Sequence, residues 1–294
     1  MKVDSDFKMK LKTENIGHWT RVIKTNGGNL DLRFGELFRY RDLIFLFVKR
    51  DFVAKYKQTI LGPAWHFIQP LFITIIYTIV FGKIARIPTE NIPPFLFYMS
   101  GTILWTYFSA VLTSTSSTFV DNAPIFGKVY FPRLAVPIAK IFSNIIAFTI
   151  QFFFFLCFVV LFKTRGTELN MNMWVLATPV LILMLAALSL GLGAMISSMT
   201  TRYRDLIVLV GFGMQLFMYA SPVIYPVSVV PEKYKVWLMY NPVTPIIEMF
   251  RHAFLGTTDV DLLYLGYSTI VTLVVLVTGI ILFNRVEKNF MDTI

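Results

Sequence analysis

Long apolar stretches, separated by short polar ones, run through the chain from residue 66 onward. A run of about 20 apolar residues is long enough to cross a bilayer as a helix. Six stretches approach or exceed that length, which predicts an all-α integral membrane fold with six transmembrane helices per chain. The predicted spans lie at roughly 66–83, 95–119, 138–162, 174–198, 206–225 and 263–283.

The pattern differs in residues 34–65, which precede the first span. Phe45, Val48, Phe52 and Tyr56 recur at helical spacing and form one stripe, with cations on the other side. This pattern predicts an N-terminal amphipathic interface helix lying along the membrane surface. A helix packed against the spans is the alternative, and the two are compatible. The cations expected near membrane lipid headgroups are Arg39, Lys49, Arg50, Lys55 and Lys57.

Composition and charge agree with a membrane protein and set its orientation. Hydrophobic residues make up 56% of the chain and charged residues 15%, against about 25% charged in soluble domains. Of the 27 Lys and Arg residues, 13 precede the first span, so we expect that region inside. Six spans then leave both termini cytosolic. Residues 1–33 lack the apolar core of a signal peptide and are interpreted as a basic cytosolic tail, partly disordered.

In this topology residues 120–137 form a cytosolic loop that contains the string KVYFPRLAVP. Asp121 or Asn122 is suited to cap a short helix there, and the prolines stiffen the residues after that helix. A stiff apolar knob with flanking cations suits a docking contact, while an ordinary loop with aromatic anchors at the headgroups is the alternative. The predicted contact residues are Asp121, Lys128, Val129, Tyr130, Phe131, Pro132 and Arg133.

The chain shows no sign of its own catalytic or nucleotide chemistry. It contains no GxxxxGK phosphate loop, so any ATP and Mg²⁺ are expected on a separate partner subunit. His18, His66 and His252 have no carboxylate or cysteine partner suggested by spacing, and Cys157 lies in an apolar run. We therefore expect no catalytic residue, no metal site, no bound cofactor and no nucleic-acid partner.

The second predicted span carries a stripe of hydroxyl and aromatic side chains at helical spacing. A sugar chain can stack and hydrogen-bond along such a stripe in many registers and so slide over it, which makes the stripe a candidate translocation path. Packing between helices through Ser and Thr is the alternative and stays open. Small residues in 187–198, by contrast, predict close helix packing. The candidate path residues, including two from the fifth span, are Tyr98, Thr102, Trp105, Ser109, Thr113, Ser116, Tyr219 and Tyr225.

An outward segment, residues 222–256, is too apolar and too rich in proline for a simple loop. Proline breaks helices, and irregular backbone at membrane depth is tolerated only when it is buried in protein or lines a cavity. We predict an outer gate here, in which Glu248 and Arg251 pair at i,i+3 spacing. The candidate gate residues are Pro222, Pro226, Trp237, Asn241, Pro242, Glu248 and Arg251.

Three motifs occur in an order that resembles the membrane subunits of bacterial ABC-2 type polysaccharide exporters, which export O-antigen, teichoic acid or capsule. They are KYKQTILGPAWHFIQP after an RD pair, NAPIFGKVYFPRLAVP, and SPVIYP followed by NPVTPIIEMFRHAFLG. The resemblance covers residues 35–294 and implies a six-span domain over 66–294. It also implies a coupling helix in the loop, a second contact with the ATPase at the interface helix, and short re-entrant helices before the last span.

The same resemblance implies a function. Two copies of this chain and two ABC ATPase subunits would export a lipid-linked, O-antigen-like polysaccharide across the bacterial inner membrane, with interface cations near a lipid pyrophosphate. One alternative is a membrane-embedded glycosyltransferase, suggested by the DxD pattern of Asp259 and Asp261, although the expected topology places that pattern outside. An ABC-2 exporter of small molecules is the other alternative, and the short outward loops and the KVYFPR loop argue against it.

Overall fold

The computed structural model describes residues 34–57, 59–129, 131–257 and 260–289. The predicted tail 1–33, Tyr130 and Asp259 lie outside these ranges. Within them the regular secondary structure is helical, without strands, as the apolar pattern predicts.

Eleven α-helices follow one another along the described ranges. They are α1 (Phe34–Arg39), α2 (Arg41–Tyr56), α3 (Trp65–Tyr77), α4 (Pro94–Ser116), α5 (Thr118–Phe126), α6 (Ala135–Thr164), α7 (Thr178–Thr200), α8 (Leu206–Tyr219), α9 (Glu232–Tyr240), α10 (Val243–Leu255) and α11 (Leu262–Asn289). A π-helical stretch, Thr78–Ile84, continues α3, and short 3₁₀ turns lie at Gly62–Ala64, Met173–Ala177 and Val227–Val229.

Five helical segments in the described ranges are long and apolar enough to cross a membrane. They are Gly62–Ile84, Pro94–Ser116, Ala135–Thr164, Met173–Thr200 and Leu262–Glu287. The predicted fifth span is shorter than expected, since α8 has 14 residues and a length of about 21 Å, against about 30 Å of bilayer core. It ends at Tyr219 rather than near 225 because Pro222 disfavours helix in the residue before it.

The segments run back and forth between two ends of the bundle. At the end that holds α5, Thr200 Oγ1 donates to the Ser116 carbonyl, and Arg133 Nη1 donates to the Glu287 carbonyl. At the opposite end, which holds α9 and α10, the loops before α4 and α7 bond to the segment between α8 and α11. The N-terminal and C-terminal helices of the described chain therefore both reach the α5 end.

Close packing holds α4 and α7 at the centre, and α4 is buried over most of its length. A Cβ on Gly191 would lie 2.7 Å from Cα of Leu276, and one on Gly193 would lie 2.6 Å from Cβ of Thr115. Small residues let helix backbones approach this closely. The prediction of close packing from residues 187–198 is confirmed.

Candidate functional site

Helix α2 packs one face against the bundle and leaves the other free. Phe47 is buried, whereas Phe45 is 70% exposed. The other members of the predicted stripe, Val48, Phe52 and Tyr56, are half-buried. The packed face agrees with the alternative of a helix docked on the spans, and the exposed aromatic face leaves its interfacial position a prediction.

A carboxylate on α2 fixes this helix to α6. Lys140 Nζ donates to Asp51 Oδ2 at 2.6 Å, and Arg50 Nη2 donates to Asp51 Oδ1 at 2.8 Å. The Arg50 guanidinium also lies 4.8 Å from the Phe47 ring centroid and 3.5 Å from Asn122 Oδ1. Arg50 is thus bonded within the chain while its side chain stays 37% exposed, so its contact with lipid headgroups stays a prediction.

The remaining four cations of the predicted interface set are exposed along α1 and α2 or just after them, so their contact with headgroups stays a prediction. They are Arg39, Lys49, Lys55 and Lys57. Partial desolvation lowers the pKa of the Lys55 ammonium below its ordinary value.

The loop after α5 divides into an exposed tip and a buried base. Asp121, Lys128 and Val129 are exposed, whereas Phe131 is 5% and Arg133 7% exposed. The predicted knob is therefore wrong for its second half, since Phe131, Pro132 and Arg133 turn inward. The capping prediction is also wrong. Asp121 and Asn122 lie inside α5, where Asp121 accepts a hydrogen bond from the hydroxyl of Ser117.

The buried base connects the loop to α2 and to the last helix, α11. The Phe131 ring centroid lies 5.5 Å from that of Phe47 on α2 and 5.7 Å from that of Phe126 on α5. Arg133 Nη1 donates to the Glu287 carbonyl of α11 at 2.9 Å, and the Arg133 backbone N–H donates to Glu287 Oε1 at 3.3 Å. Burial lowers the pKa of the Arg133 guanidinium, and the Glu287 charge acts in the opposite direction.

This arrangement has a mechanical consequence. Aromatic packing and charge-assisted hydrogen bonds join the loop base to α2, α5 and α11, so the loop base and these three helices form one packed unit. We call the base and its contacts the loop clamp, defined by Phe47, Phe126, Phe131, Arg133 and Glu287.

The candidate path residues of α4 lie mostly inside the chain. Tyr98, Thr102, Trp105 and Ser116 are buried, and the hydroxyls of Thr102 and Ser116 donate to carbonyls of their own helix. The Trp105 ring centroid lies 5.7 Å from that of Phe217 on α8. These four side chains therefore fit the packing alternative rather than an open polar face.

The other four candidates are at least partly accessible, and their role in a path stays a prediction. Ser109 and Thr113 are partly exposed on α4. Tyr219 is exposed at the end of α8, and the half-buried Tyr225 donates its hydroxyl to the Tyr219 carbonyl at 2.8 Å.

The predicted pair of Glu248 and Arg251 is confirmed, at 3.1 Å between Glu248 Oε1 and Arg251 Nη1. Arg251 is fully buried, and its guanidinium also donates to the carbonyls of Pro222 at 2.6 Å and Val223 at 2.9 Å. Five N–H donors in a planar fork allow one arginine to satisfy several acceptors at once. Arg251 thus ties α10 to the turn after α8.

Sequence reasoning missed the partners of Arg251 on α4. Arg251 Nε donates to Ser100 Oγ at 3.2 Å, and the guanidinium carbon lies 3.7 Å from the Phe97 ring centroid. A Cβ on Gly101 would lie 2.7 Å from Arg251 Nη2. The sequence does contain a hint of this contact. Ser100 and Gly101 are adjacent small residues in an aromatic stretch, and they leave room for a large side chain from another helix.

Of the remaining gate candidates, Asn241 bonds to the same turn. Asn241 Nδ2 donates to the Ala220 carbonyl and to Ser221 Oγ, and the Pro242 carbonyl accepts from the hydroxyl of Ser268 on α11. Pro226 is buried before the Val227–Val229 turn. Trp237, on α9, is 79% exposed and free to meet a membrane or a partner.

The hints of metal or sugar-nucleotide chemistry gain no support in the described residues. No group of three His, Cys, Asp or Glu side chains able to hold a metal occurs within the described ranges. Asp261 Oδ1 accepts from the Leu263 backbone N–H at the start of α11, which is a helix-capping contact.

Comparison with known proteins supplies a family. The model of the ABC-2 type transporter family matches residues 42–255. The chain is 27% identical to the O-antigen export system permease protein RfbA of Klebsiella pneumoniae, in an alignment that spans 88% of the chain and 96% of that protein. It is 26% identical to RfbA of Myxococcus xanthus over 88% of the chain and 98% of that protein. It is 21% identical to the polysialic acid transport protein KpsM of Escherichia coli over 83% of the chain and 93% of that protein.

Proposed function

The chain belongs to the ABC-2 type transporter family, and from this membership we propose that it is the membrane subunit of an ATP-driven exporter of a lipid-linked, O-antigen-like polysaccharide. Relatives named for O-antigen export and polysialic acid transport match it over more than four fifths of its length. ATP hydrolysis is assigned to a separate ABC ATPase, with ATP and Mg²⁺ bound there.

The proposed topology has six spans, with α8 as the fifth. Helix α8 is short, but the residues after it fold back with α9 and α10 and bury Arg251, so irregular backbone at that depth is covered by protein. The concentration of cations before the first span supports a cytosolic position for the α5 end. Both termini then face the cytosol, and α9 and α10 form two short re-entrant helices at the outer side of the bacterial inner membrane.

The structural observation that supports drive by a partner ATPase is the loop clamp. An exposed tip on a buried base, joined to α2 and to the end of α11, transmits a rigid-body push from a cytosolic partner. A loop without such contacts would absorb the push. The exposed Lys128 and Val129, together with the neighbouring Tyr130, are the proposed ATPase contact.

The proposed assembly is a dimer of this chain with two ATPase subunits. ATP binding would close the ATPases, move the tip and the interface helix, and open a path between the two membrane subunits. Ser109, Thr113, Tyr219 and Tyr225 are the candidate path residues with accessible surface.

Co-purification with the ATPase tests the contact. The chain is co-expressed with the ABC ATPase encoded beside it, and the native loop is compared with a Lys128→Ala, Val129→Ala double variant. Lys163→Ala is the control, since it changes an exposed lysine at the opposite end of α6. We expect the double variant to lose most of the bound ATPase and the control to retain it. Equal ATPase recovery with all three chains would contradict the proposed contact.

A further inference from the structure

A polar cavity lies where the end of α2 meets α3, α4 and α6. It has a volume of about 210 Å³, and a single water needs about 10–15 Å³ of such space. Lys55, Trp65 and Gln69 lie at its exposed mouth, and the buried Tyr107 and Gln151 lie at its floor. The cavity is therefore large enough for a ligand, and it runs from an exposed rim into the protein interior.

The floor presents hydrogen-bonding groups without a partner among the described residues. Tyr107 and Gln151 are 2% and 3% exposed, and within the described ranges neither the Tyr107 hydroxyl nor Gln151 Oε1 has a hydrogen-bond partner. An unpaired buried polar group destabilises the fold, and most such groups are paired. The phenol can donate and the amide oxygen accepts. A ligand hydroxyl both donates and accepts, so it suits both positions.

The mouth carries one positive charge, on Lys55. His66 also lines the cavity and offers a ring nitrogen for a hydrogen bond, and no Asp or Glu lines it in the part of the chain that the structure describes. Among the described residues Lys55 forms no ion pair, whereas Asp51, one turn earlier on α2, is already bonded to Lys140 and Arg50. The Trp65 indole adds an N–H donor. Cations and donors without a carboxylate are the usual surroundings of a phosphate.

The cavity lies where α2 meets the first candidate span, and in the proposed topology this end of the span meets the lipid headgroups. We propose that it binds a hydroxyl-bearing phosphate-ester headgroup of a membrane lipid. The phosphate lies by Lys55 and His66, and a hydroxyl lies on Tyr107 and Gln151. Two lipids offer this chemistry: phosphatidylglycerol of the bilayer, and a lipid-linked sugar phosphate. The second source rests on the proposed export function.

Lipid retention by the purified full-length chain tests the site. Native mass spectrometry measures binding of three probes: dioleoyl-phosphatidylglycerol, dioleoyl-phosphatidylcholine, and a polyprenyl-pyrophosphate-linked N-acetylglucosamine. The variants are Tyr107→Phe, which removes one oxygen atom, and Lys55→Gln. The matched control is Tyr98→Phe, because Tyr98 also carries a buried hydroxyl on α4 that has no partner among the described residues, but it lies outside the cavity.

We expect at least one of the two hydroxyl-bearing probes to outcompete phosphatidylcholine on the native chain. Each variant should bind that probe about tenfold more weakly, the size expected for a lost charge-assisted or buried hydrogen bond, while Tyr98→Phe binds as the native chain does. The probe that responds identifies the source. Native-like binding of both probes by folded Tyr107→Phe and Lys55→Gln would overturn the site. The ATPase co-purification is independent, so failure of the site and failure of the export proposal are distinguishable.

Discussion

At the scale of single residues, Arg251 shows what a sequence pattern can and cannot predict. Its pairing with Glu248 follows from i,i+3 spacing on one helix. Its bonds to the carbonyls of Pro222 and Val223 and to Ser100 join residues far apart in sequence, and no local pattern encodes them. The same limit explains the wrong prediction for Arg133, whose partner Glu287 lies 154 positions later. A basic residue in a polar loop is expected to be exposed until its distant partner is known.

Arg251→Gln should destabilise the chain strongly, because it leaves Glu248 and two buried carbonyls without their donor. Removing one partner of a buried ion pair costs about 3–5 kcal/mol. The control is Lys235→Gln, which breaks an exposed pair with Glu232 at the same i,i+3 spacing and should cost about 0–1 kcal/mol. Thermal unfolding in detergent gives the comparison. Similar melting temperatures for the two variants would show that Arg251 does not hold the turn.

At the scale of elements, the apolar pattern predicted the long helices because bilayer thickness and helix rise leave little choice of length. It predicted α8 less well, since Pro222 limits how far the helix continues past Tyr219. It also left open which face of α2 packs on protein. Asp51 decides this by reaching Lys140 on α6, and the sequence alone does not show that α2 and α6 lie side by side.

Asp51→Asn should loosen α2 from α6, because an amide replaces the carboxylate that holds two cations. Hydrogen bonds to charged groups contribute about 1.5–3 kcal/mol. Hydrogen–deuterium exchange along residues 41–56 should increase, while Asp42→Asn, at an exposed position of the same helix paired only at 3.9 Å, should leave exchange unchanged. Unchanged exchange in Asp51→Asn would mean that apolar packing alone positions α2.

The close packing of α7 against α11 depends on the absence of a side chain at Gly191. In Gly191→Ala the added methyl would lie 2.7 Å from Leu276 Cα, which forces the helices apart at a cost of about 1–3 kcal/mol. Gly266→Ala is the control, since nothing lies within 4 Å of its added Cβ, and alanine favours helix. We expect a lower melting temperature for Gly191→Ala alone. An equal or higher one would show that the helix contact tolerates expansion.

At the scale of the whole molecule, two tied regions lie at opposite ends of one central helix. Helix α4 meets Arg251 at its start, and at its end the Ser116 carbonyl accepts from Thr200 on α7. The loop clamp lies at the α5 end with α2 and α11. A buried α4 between them is suited to carry a displacement at the α5 end to the turn held by Arg251. Family membership and this arrangement together support a transporter subunit driven from one side.

Export in the host cell tests the central claim most directly. The gene is deleted, and lipid-linked polysaccharide is measured by immunoblotting of fractionated cells. One fraction contains the cell surface, and the other contains the material retained inside the cell. The account predicts loss of surface polysaccharide with accumulation inside, restored by the native chain but not by the Lys128→Ala, Val129→Ala variant. Surface polysaccharide that persists unchanged in the deleted strain would contradict it.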